Sequence, residues 1–145
     1  MRLSKHFTLA EFTRSDTAAR LKVGNAPTPE HLAHLIRLAG ALEEARAVLG
    51  DRPIRITSGY RNATVNRAAG GVPNSHHAQG WAADFHVDGL SDLQAAQALA
   101  ASDLRFDQLI YEPGRCVHLS VAPRLRGERL TQRRAGAACE RGINP

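Results

Sequence analysis

The longest regular pattern of apolar residues lies between Ala26 and Pro53 and predicts one long helix. Thr28 suits the N-cap, Pro29 the first helical position and Gly50 the C-terminal stop. Apolar side chains recur every three or four residues between these signals, which is the spacing of one helix face: Leu32, Leu35, Leu38 or Ala39, Leu42, Ala45 and Leu49. We expect this segment to be the main core helix.

Capping signals predict three shorter helices. Thr8 and Glu11 have the spacing of a capping box, in which a hydroxyl and a carboxyl group satisfy each other's free backbone donors, and Ser91 and Gln94 repeat that spacing. Asn62 is placed to cap a short helix that ends before Gly70-Gly71. The helix after Ser91 is expected to run to about residue 101.

The polar and apolar pattern changes to a period of two after the long helix, which is typical of strands. Residues 53–57 alternate in this way, and residues 81–87 form a second candidate strand. The segment FDQLIYEPGRCVHLSVAP predicts two further strands joined at a Pro-Gly turn. Because helices come first and the strands are short, the pattern favours an α+β fold over a doubly wound sheet.

The length of the turn decides the register of this hairpin. A two-residue loop would pair Leu109 with His118 and mix apolar with polar positions on one face. A three-residue Pro-Gly-Arg loop pairs Leu109 with Leu119 and Tyr111 with Val117. The second register gives a consistent apolar face, so we expect it.

Composition is consistent with a single domain. The chain has 145 residues and 43% hydrophobic content, which is enough for one core without disulfides. Cys116 and Cys139 are interpreted as free thiols, since Cys139 lies in a polar, arginine-rich segment. The first 16 residues contain no apolar run suited to a signal peptide or a membrane span, so we expect a cytoplasmic product.

Positive charge is concentrated at the C-terminus. The net charge is +5, and residues 124–145 contain six arginines against only Glu128 and Glu140. We therefore divide the chain into a domain of residues 1–123 and a basic, flexible tail of residues 124–145. The charge of the tail favours weak attraction to anionic cell-wall polymers or membranes, or else serves solubility. Nucleic-acid binding is not expected.

Two histidines and an aspartate are candidates for a metal site. Catalytic zinc sites use three histidine or carboxylate ligands and keep one position for water, and His77, Asp84 and His118 could supply that set. The spacing alone leaves open that these residues are only caps and solvated loop positions.

Several separated motifs extend this pattern. Ser75-x-His77-x-x-Gly80-x-Ala82-x-Asp84 is preceded by Ser58-Gly59-Tyr60-Arg61 and followed by Val117-His118-Leu119-Ser120. From about residue 3 to 122 the chain resembles the zinc D-alanyl-D-alanine carboxypeptidase family, which includes dipeptidases, cell-wall endopeptidases and many phage lysis enzymes, and shares its fold with the hedgehog signalling domain. The resemblance implies N-terminal helices packed on a small, mainly antiparallel sheet that carries a zinc site.

The resemblance also implies roles for individual residues. It places the Zn²⁺ ligands on His77, Asp84 and His118 and a substrate-binding arginine on Arg61, which could hold a peptide carboxylate or the developing oxyanion. Taken alone, Arg61 would be interpreted as part of a surface salt bridge. Tyr60 and Ser75 are further candidates for substrate binding, and Ser75 could equally cap its loop.

The general base is where the sequence departs from the family pattern. Related enzymes commonly place a carboxylate three residues before the last histidine, and here that position is Arg115. In the expected register Glu112 shares a face with His118, whereas Asp107 points to the core, so Glu112 is the candidate base. An ion pair with Arg115 is its alternative role. Cys116 lies on the same face, as a buried filler or as a thiolate ligand or nucleophile.

These residues together predict a zinc-dependent peptidase that cleaves peptidoglycan stem peptides or cross-links. The resemblance implies a phage or prophage lysis enzyme that is held in the cytoplasm and acts on the cell wall after release, and we expect a monomer. The alternative is a catalytically silent zinc-binding module that recognises cell-wall peptide or supports a phage structure, and Arg115 is the feature that favours it.

Overall fold

Six helices and six strands make up the protein in a computed structural model that describes residues 1–145. The architecture is α+β, as the sequence predicts. In chain order the elements are α1 Leu9–Thr13, α2 Asp16–Leu21, α3 Pro29–Val48, β1 Ile54–Ser58, α4 Ala63–Ala68, α5 His76–Gln79, β2 Ala82–Val87, α6 Asp92–Ala100, β3 Gln108–Glu112, β4 Cys116–Ser120, β5 Glu128–Thr131 and β6 Glu140–Arg141.

The caps that the sequence predicts begin the expected helices. Thr8 and Ser91 form capping boxes at α1 and α6. The side chains of Thr28 and Asn62 accept hydrogen bonds from the first turns of α3 and α4, which satisfies backbone donors that have no partner within the helix. These four starts are confirmed.

The strands form one mixed sheet in the order β1-β2-β4-β3-β5-β6. All neighbours are antiparallel except β3 and β5, which run parallel. In the β3–β4 hairpin Leu109 pairs with Leu119 and Tyr111 with Val117, so the register predicted from the three-residue loop is confirmed. Gly114 in this loop has a φ of 74°, a conformation that favours glycine.

Side chains alternate between the two faces of the sheet, and one face builds the core. A single cluster of buried apolar side chains joins this face to α3 and α6. Its fully buried members include Leu35, Leu38, Leu42, Phe85, Leu99, Leu109, Val117 and Leu119. The opposite face carries the polar residues of the candidate site.

The C-terminal segment differs from the flexible tail that the sequence predicts for residues 124–145. Residues 128–131 form β5 against β3, and residues 140–141 form β6. Arg126 binds the buried carboxylate of Asp107 through two side-chain hydrogen bonds of 3.0 and 2.7 Å. The segment is therefore held by β3 and Asp107. These contacts could not be predicted from its arginine content, which indicated only a charged tail.

None of the six helices combines the length and the apolar character that crossing a bilayer requires.

Candidate metal site

His77 lies on α5, a helix of four residues whose ends are tightly fixed. The Ser75 side chain accepts a hydrogen bond from the Ala78 amide at the start, and Gly80 ends the helix with a φ of 82°. The imidazole Nδ1–H of His77 donates to the Gly59 carbonyl oxygen at 2.8 Å. Because a carbonyl oxygen can only accept, this bond sets the tautomer and leaves Nε2 free as a ligand atom.

Asp84 and His118 lie directly opposite each other on β2 and β4. The His118 Nδ1 atom is 2.8 Å from Asp84 Oδ1, and His77 Nε2 is 3.4 Å from Asp84 Oδ2. The structure therefore brings together the three side chains that the sequence suggests as ligands, from two strands and one helix.

The geometry of this group suits a divalent ion. One ligand atom from each of the three residues lies within 4.8 Å of the others. Ligand atoms at about 2.0–2.2 Å from a tetrahedral zinc ion are roughly 3.3–3.6 Å apart, and the distance of 3.4 Å from His77 Nε2 to Asp84 Oδ2 falls in that range. Two imidazoles and one carboxylate also match the ligand types of catalytic zinc sites, which leaves a fourth position for water.

The same proximity decides the charge states of these groups. Burial opposes the charge on Asp84, but the two neighbouring histidines outweigh it and hold the pKa of Asp84 well below its usual value. Burial likewise opposes the charge on His118, and the hydrogen bond to Asp84 outweighs it and raises the pKa of His118. The carboxylate is therefore available as an anionic ligand at neutral pH.

Glu112 lies at the end of β3 on the same face of the sheet as His118. One of its carboxylate oxygens is within 4.8 Å of a ligand oxygen of Asp84. Its Oε1 also pairs with Arg115 Nη1 at 3.0 Å, so the ion pair foreseen as its alternative role is present. Only 14% of the Glu112 side chain is exposed. The second oxygen, Oε2, lies 3.6 Å from the Cys116 Sγ atom.

Cys116 is a neutral, buried thiol in this arrangement. Burial, followed by the charges of Asp84 and Glu112, raises the pKa of Cys116. It fills space beside the ligands, which agrees with its interpretation as a small filler. Both cysteines are free thiols, as the sequence predicts.

The Arg61 guanidinium interacts electrostatically with the same carboxylates. Its Nε–H is buried and has no hydrogen-bond partner. Burial lowers the pKa of the Arg61 guanidinium, and the carboxylates of Asp84 and Glu112 oppose this shift. A partly buried guanidinium with an unused donor is suited to binding an anion that enters from outside.

The other two predicted substrate contacts are placed differently. Only 2% of Tyr60 is exposed, and its hydroxyl lies 2.9 Å from His31 Nδ1, which leaves the ring little surface for a substrate. The Ser75 hydroxyl caps α5 and donates to Asn66 Oδ1 at 3.0 Å. Ser75 still lines the cavity beside the ligands.

One cavity borders two of the candidate ligands, and another lies beside Arg61. The first, of about 310 Å³, is lined by His77 and His118 together with Ser75, Gln108 and Ile110, among others. The second, of about 190 Å³, includes Arg61 in its lining. A further cavity of about 370 Å³ between α4 and α5 is lined by none of the three candidate ligands, so we do not assign the chemistry to it.

Two contributors to the site gave no signal in the sequence. The Gly59 carbonyl oxygen that orients His77 is a backbone atom. The Gln132 carbonyl oxygen that accepts from Arg115 Nη2 at 2.8 Å lies 17 residues further along the chain. The motif Ser58-Gly59-Tyr60-Arg61 indicated the importance of Gly59 only through the resemblance.

An α+β fold that presents two histidines and an aspartate beside a further carboxylate has the arrangement of a metallopeptidase centre. The family model for Peptidase M15 matches residues 5–120, and the chain belongs to that family. It is similar to the zinc D-Ala-D-Ala carboxypeptidase of Streptomyces albus G, with 32% identity over 121 residues. The match covers 81% of this chain but 45% of the relative, so the chain spans less than half of that protein's length.

The donor set, the family and the relative together identify Zn²⁺ as the cofactor. His77 Nε2, an Asp84 carboxylate oxygen and His118 Nδ1 are the atoms that would hold it. The hydrogen bond from His77 to Gly59 fixes the ring orientation of one of these candidate ligands.

Proposed function

We propose that the protein is a zinc-dependent peptidase that hydrolyses a peptide bond next to alanine in peptidoglycan stem peptides or cross-links. The observation that carries this proposal is the proximity of the Glu112 carboxylate to Asp84, which also belongs to the group formed with His77 and His118. The similarity to a D-Ala-D-Ala carboxypeptidase supports the choice of substrate class.

A zinc ion held by His77, Asp84 and His118 would supply the acidity of a bound water molecule and the polarisation of the scissile carbonyl group. Glu112 accepts a proton from the attacking water in this proposal, which is supported by the closeness of its carboxylate to Asp84 and by its position on the ligand side of the sheet. The protonated Glu112 side chain then donates that proton to the departing amine, so the same group acts as the general acid in this second step.

Arg61 binds the anionic part of the substrate in this proposal. Its unpartnered Nε–H provides a donor for a peptide carboxylate or for the oxyanion of the tetrahedral intermediate. Tyr60 supports Arg61 indirectly, because its buried ring and its hydrogen bond with His31 hold the backbone from which Arg61 extends. Ser75 contacts the substrate from the cavity that His77 and His118 also line.

Product analysis on purified peptidoglycan tests the proposal. We expect mass spectrometry to show one cleaved bond next to alanine. Replacement of Glu112 by Gln removes the base but keeps the shape, so kcat should fall by about 10²- to 10⁴-fold while zinc remains bound. Glu128→Gln, on the same sheet face in β5, is the matched control and should keep full activity. Full activity in Glu112→Gln would exclude Glu112 as the base.

A catalytically silent zinc-binding module is the second candidate, and the ion pair of Glu112 with Arg115 favours it. In that case the wild-type protein and Glu112→Gln would bind zinc equally and neither would release peptides from peptidoglycan. Binding to insoluble peptidoglycan, measured by co-sedimentation, would then depend on Arg61.

The proposed setting is lysis, in which the protein reaches the cell wall after release from the cytoplasm. This part rests on the resemblance to phage lysis enzymes. Of the six arginines after residue 123, Arg126 and Arg133 pair with acidic side chains. The remaining charge supplies the weak attraction to anionic wall polymers, and clearing of a cell-wall suspension that weakens with salt would support it.

A further inference from the structure

Arg115 joins the candidate base to the C-terminal segment. Its Nη1 binds Glu112 Oε1 at 3.0 Å, and its Nη2 donates to the Gln132 carbonyl oxygen at 2.8 Å and, more weakly, to Gln132 Oε1 at 3.4 Å. One guanidinium thus spans from the end of β3 to the residue that follows β5.

Gln132 is itself firmly held. Its backbone N–H donates to the Tyr111 carbonyl oxygen at 2.9 Å, which continues the pairing of β5 with β3. Its side-chain Nε2 donates to the Ala137 carbonyl oxygen at 2.9 Å. Arg115 therefore binds to a fixed acceptor, which limits the positions that its guanidinium can take.

This fixed guanidinium engages only one of the two oxygens of Glu112. Oε1 faces Arg115, whereas Oε2 lies on the side of Cys116, which is the ligand side of the sheet. The ion pair that favours a silent module therefore does not engage Oε2, whose one side-chain partner is the Cys116 thiol at 3.6 Å. The Arg115 side chain is 32% exposed and Glu112 only 14%, so solvent screens the pair only in part.

We propose that Arg115, anchored by Gln132, is a positioning residue that holds the Glu112 carboxylate with Oε2 directed at the metal ligands. This inference rests on the proposed function, because it requires Glu112 to act as the base. It gives a role to a residue at the position where related enzymes commonly place a carboxylate. It also links the site to Gln132, which lies outside residues 5–120 that match the family model.

An arginine suits this role better than a lysine does. Its planar fork presents separate N–H groups to Glu112 and to Gln132 at the same time, whereas a lysine ammonium is a single point of charge. Arg115→Lys can keep the charge beside Glu112 but cannot hold both partners in the same geometry. Arg115→Met removes the charge and keeps most of the apolar volume.

The test compares full-length variants on soluble peptidoglycan fragments, with kcat, KM and bound zinc measured for each. We expect Arg115→Met to lower kcat by about tenfold or more, with KM within about twofold and zinc retained, because the base is misplaced while substrate binding is not. Arg115→Lys should fall between Arg115→Met and wild type. Arg133→Met, which removes an exposed arginine paired with Glu140, is the control and should match wild type.

A double-mutant cycle distinguishes positioning from general damage to the fold. If Arg115 acts through Glu112, Arg115→Met should cause no further loss of kcat in a Glu112→Gln background. An equal loss in both backgrounds, or a kcat within twofold of wild type for Arg115→Met alone, would overturn the inference. If Arg115→Met does not fold, Arg115→Lys decides, with an expected loss of about threefold or more.

The two proposals fail in different ways. If wild type does not cleave the fragments, or if Glu112→Gln keeps its rate, the proposed function fails and the role of Arg115 fails with it. If Glu112→Gln loses activity while both Arg115 variants keep theirs, only the positioning role is overturned.

Discussion

At the scale of single residues, the two ring nitrogens of His77 face different partners. Nδ1–H is used by the Gly59 carbonyl oxygen, and Nε2 is left to face Asp84. The neighbouring His76 uses its Nδ1 in a short contact with the Ser120 hydroxyl. Two adjacent histidines on one short helix therefore have separate partners, because successive helical residues point about 100° apart.

We predict that His77→Ala loses zinc binding whereas His76→Ala keeps it. Loss of one of three protein ligands should lower zinc affinity by more than about 100-fold, since even loss of a partner that orients a ligand costs 10- to 100-fold. Metal analysis of the purified variants after dialysis against a weak chelator measures this difference. Stoichiometric zinc in His77→Ala would rule out this residue as a ligand.

The choice between these two histidines could not be made from local physical signals. α5 has only four residues, which is too short for a periodic pattern. The resemblance favoured His77 through its motif. The geometric reason, a carbonyl oxygen from the turn after β1, becomes visible only in the folded chain.

At the scale of elements, the turn after β1 is held against α1 by an unusually close contact. A Cβ atom on Gly59 would lie 2.6 Å from the Phe12 carbonyl oxygen and 2.8 Å from the Phe12 Cα atom. The Tyr60 amide also donates to that same carbonyl oxygen. The absence of a side chain at residue 59 lets the turn approach α1 and sets the position of the carbonyl oxygen that orients His77.

Gly59→Ala should therefore weaken both the fold and the metal site. We expect a loss of about 1–3 kcal/mol in the free energy of unfolding from the overpacked contact. Zinc affinity should fall about 10- to 100-fold, because the Gly59 carbonyl oxygen moves away from His77. Urea unfolding and competitive zinc titration measure the two effects.

Gly40→Ala is the matched control, because a Cβ atom there meets nothing within 4 Å and the residue lies inside α3. It should gain up to about 1 kcal/mol, since alanine favours a helix interior. If Gly59→Ala were as stable as Gly40→Ala, the close contact would not constrain the turn.

The elements that the sequence predicts correctly are those with local signals. The helices capped by Thr8, Thr28, Asn62 and Ser91 and the β3–β4 hairpin depend on residues a few positions apart. The missed helix α2 has six residues and a serine cap, which is too little for an apolar pattern. The missed strand β5 pairs in parallel with β3, and its partner residues lie 20 positions away. Such a pairing has no local signature.

At the scale of the whole molecule, one buried charge adds to the β3–β5 pairing that attaches the C-terminal segment to the rest of the sheet. Asp107 is 1% exposed, and Arg126 binds it through both its side chain and its backbone N–H. The side-chain hydrogen bond from Arg126 holds the pKa of Asp107 below its usual value, against the effect of burial. The expected boundary at residue 123 therefore falls between two parts that share this ion pair.

Arg126→Met should destabilise the protein in a pH-dependent way. The pKa of Asp107 is lower in the folded state, so its pairing contributes stability above the unfolded pKa near 3.9, and that contribution is lost as the pH falls further. We expect a loss of about 2 kcal/mol in the free energy of unfolding at pH 7, and a smaller difference from wild type below about pH 4.

Urea unfolding of both proteins across this pH range checks the prediction. Arg133→Met, which breaks an exposed ion pair of the same segment, should differ little from wild type at any of these pH values. A difference between Arg126→Met and wild type that stayed constant from pH 7 to pH 3 would mean that the charge of Asp107 is not the cause.

The direct opposition of Asp84 and His118 on β2 and β4 has a consequence for folding fidelity. A slip of one residue along either strand would turn one of these side chains toward the core, and a slip of two would separate the pair by a full pleat repeat. Only the native alignment can therefore bind the ion tightly. Zinc binding thus selects the native strand register, because it stabilises the correctly aligned sheet and gives no such stabilisation to misaligned chains.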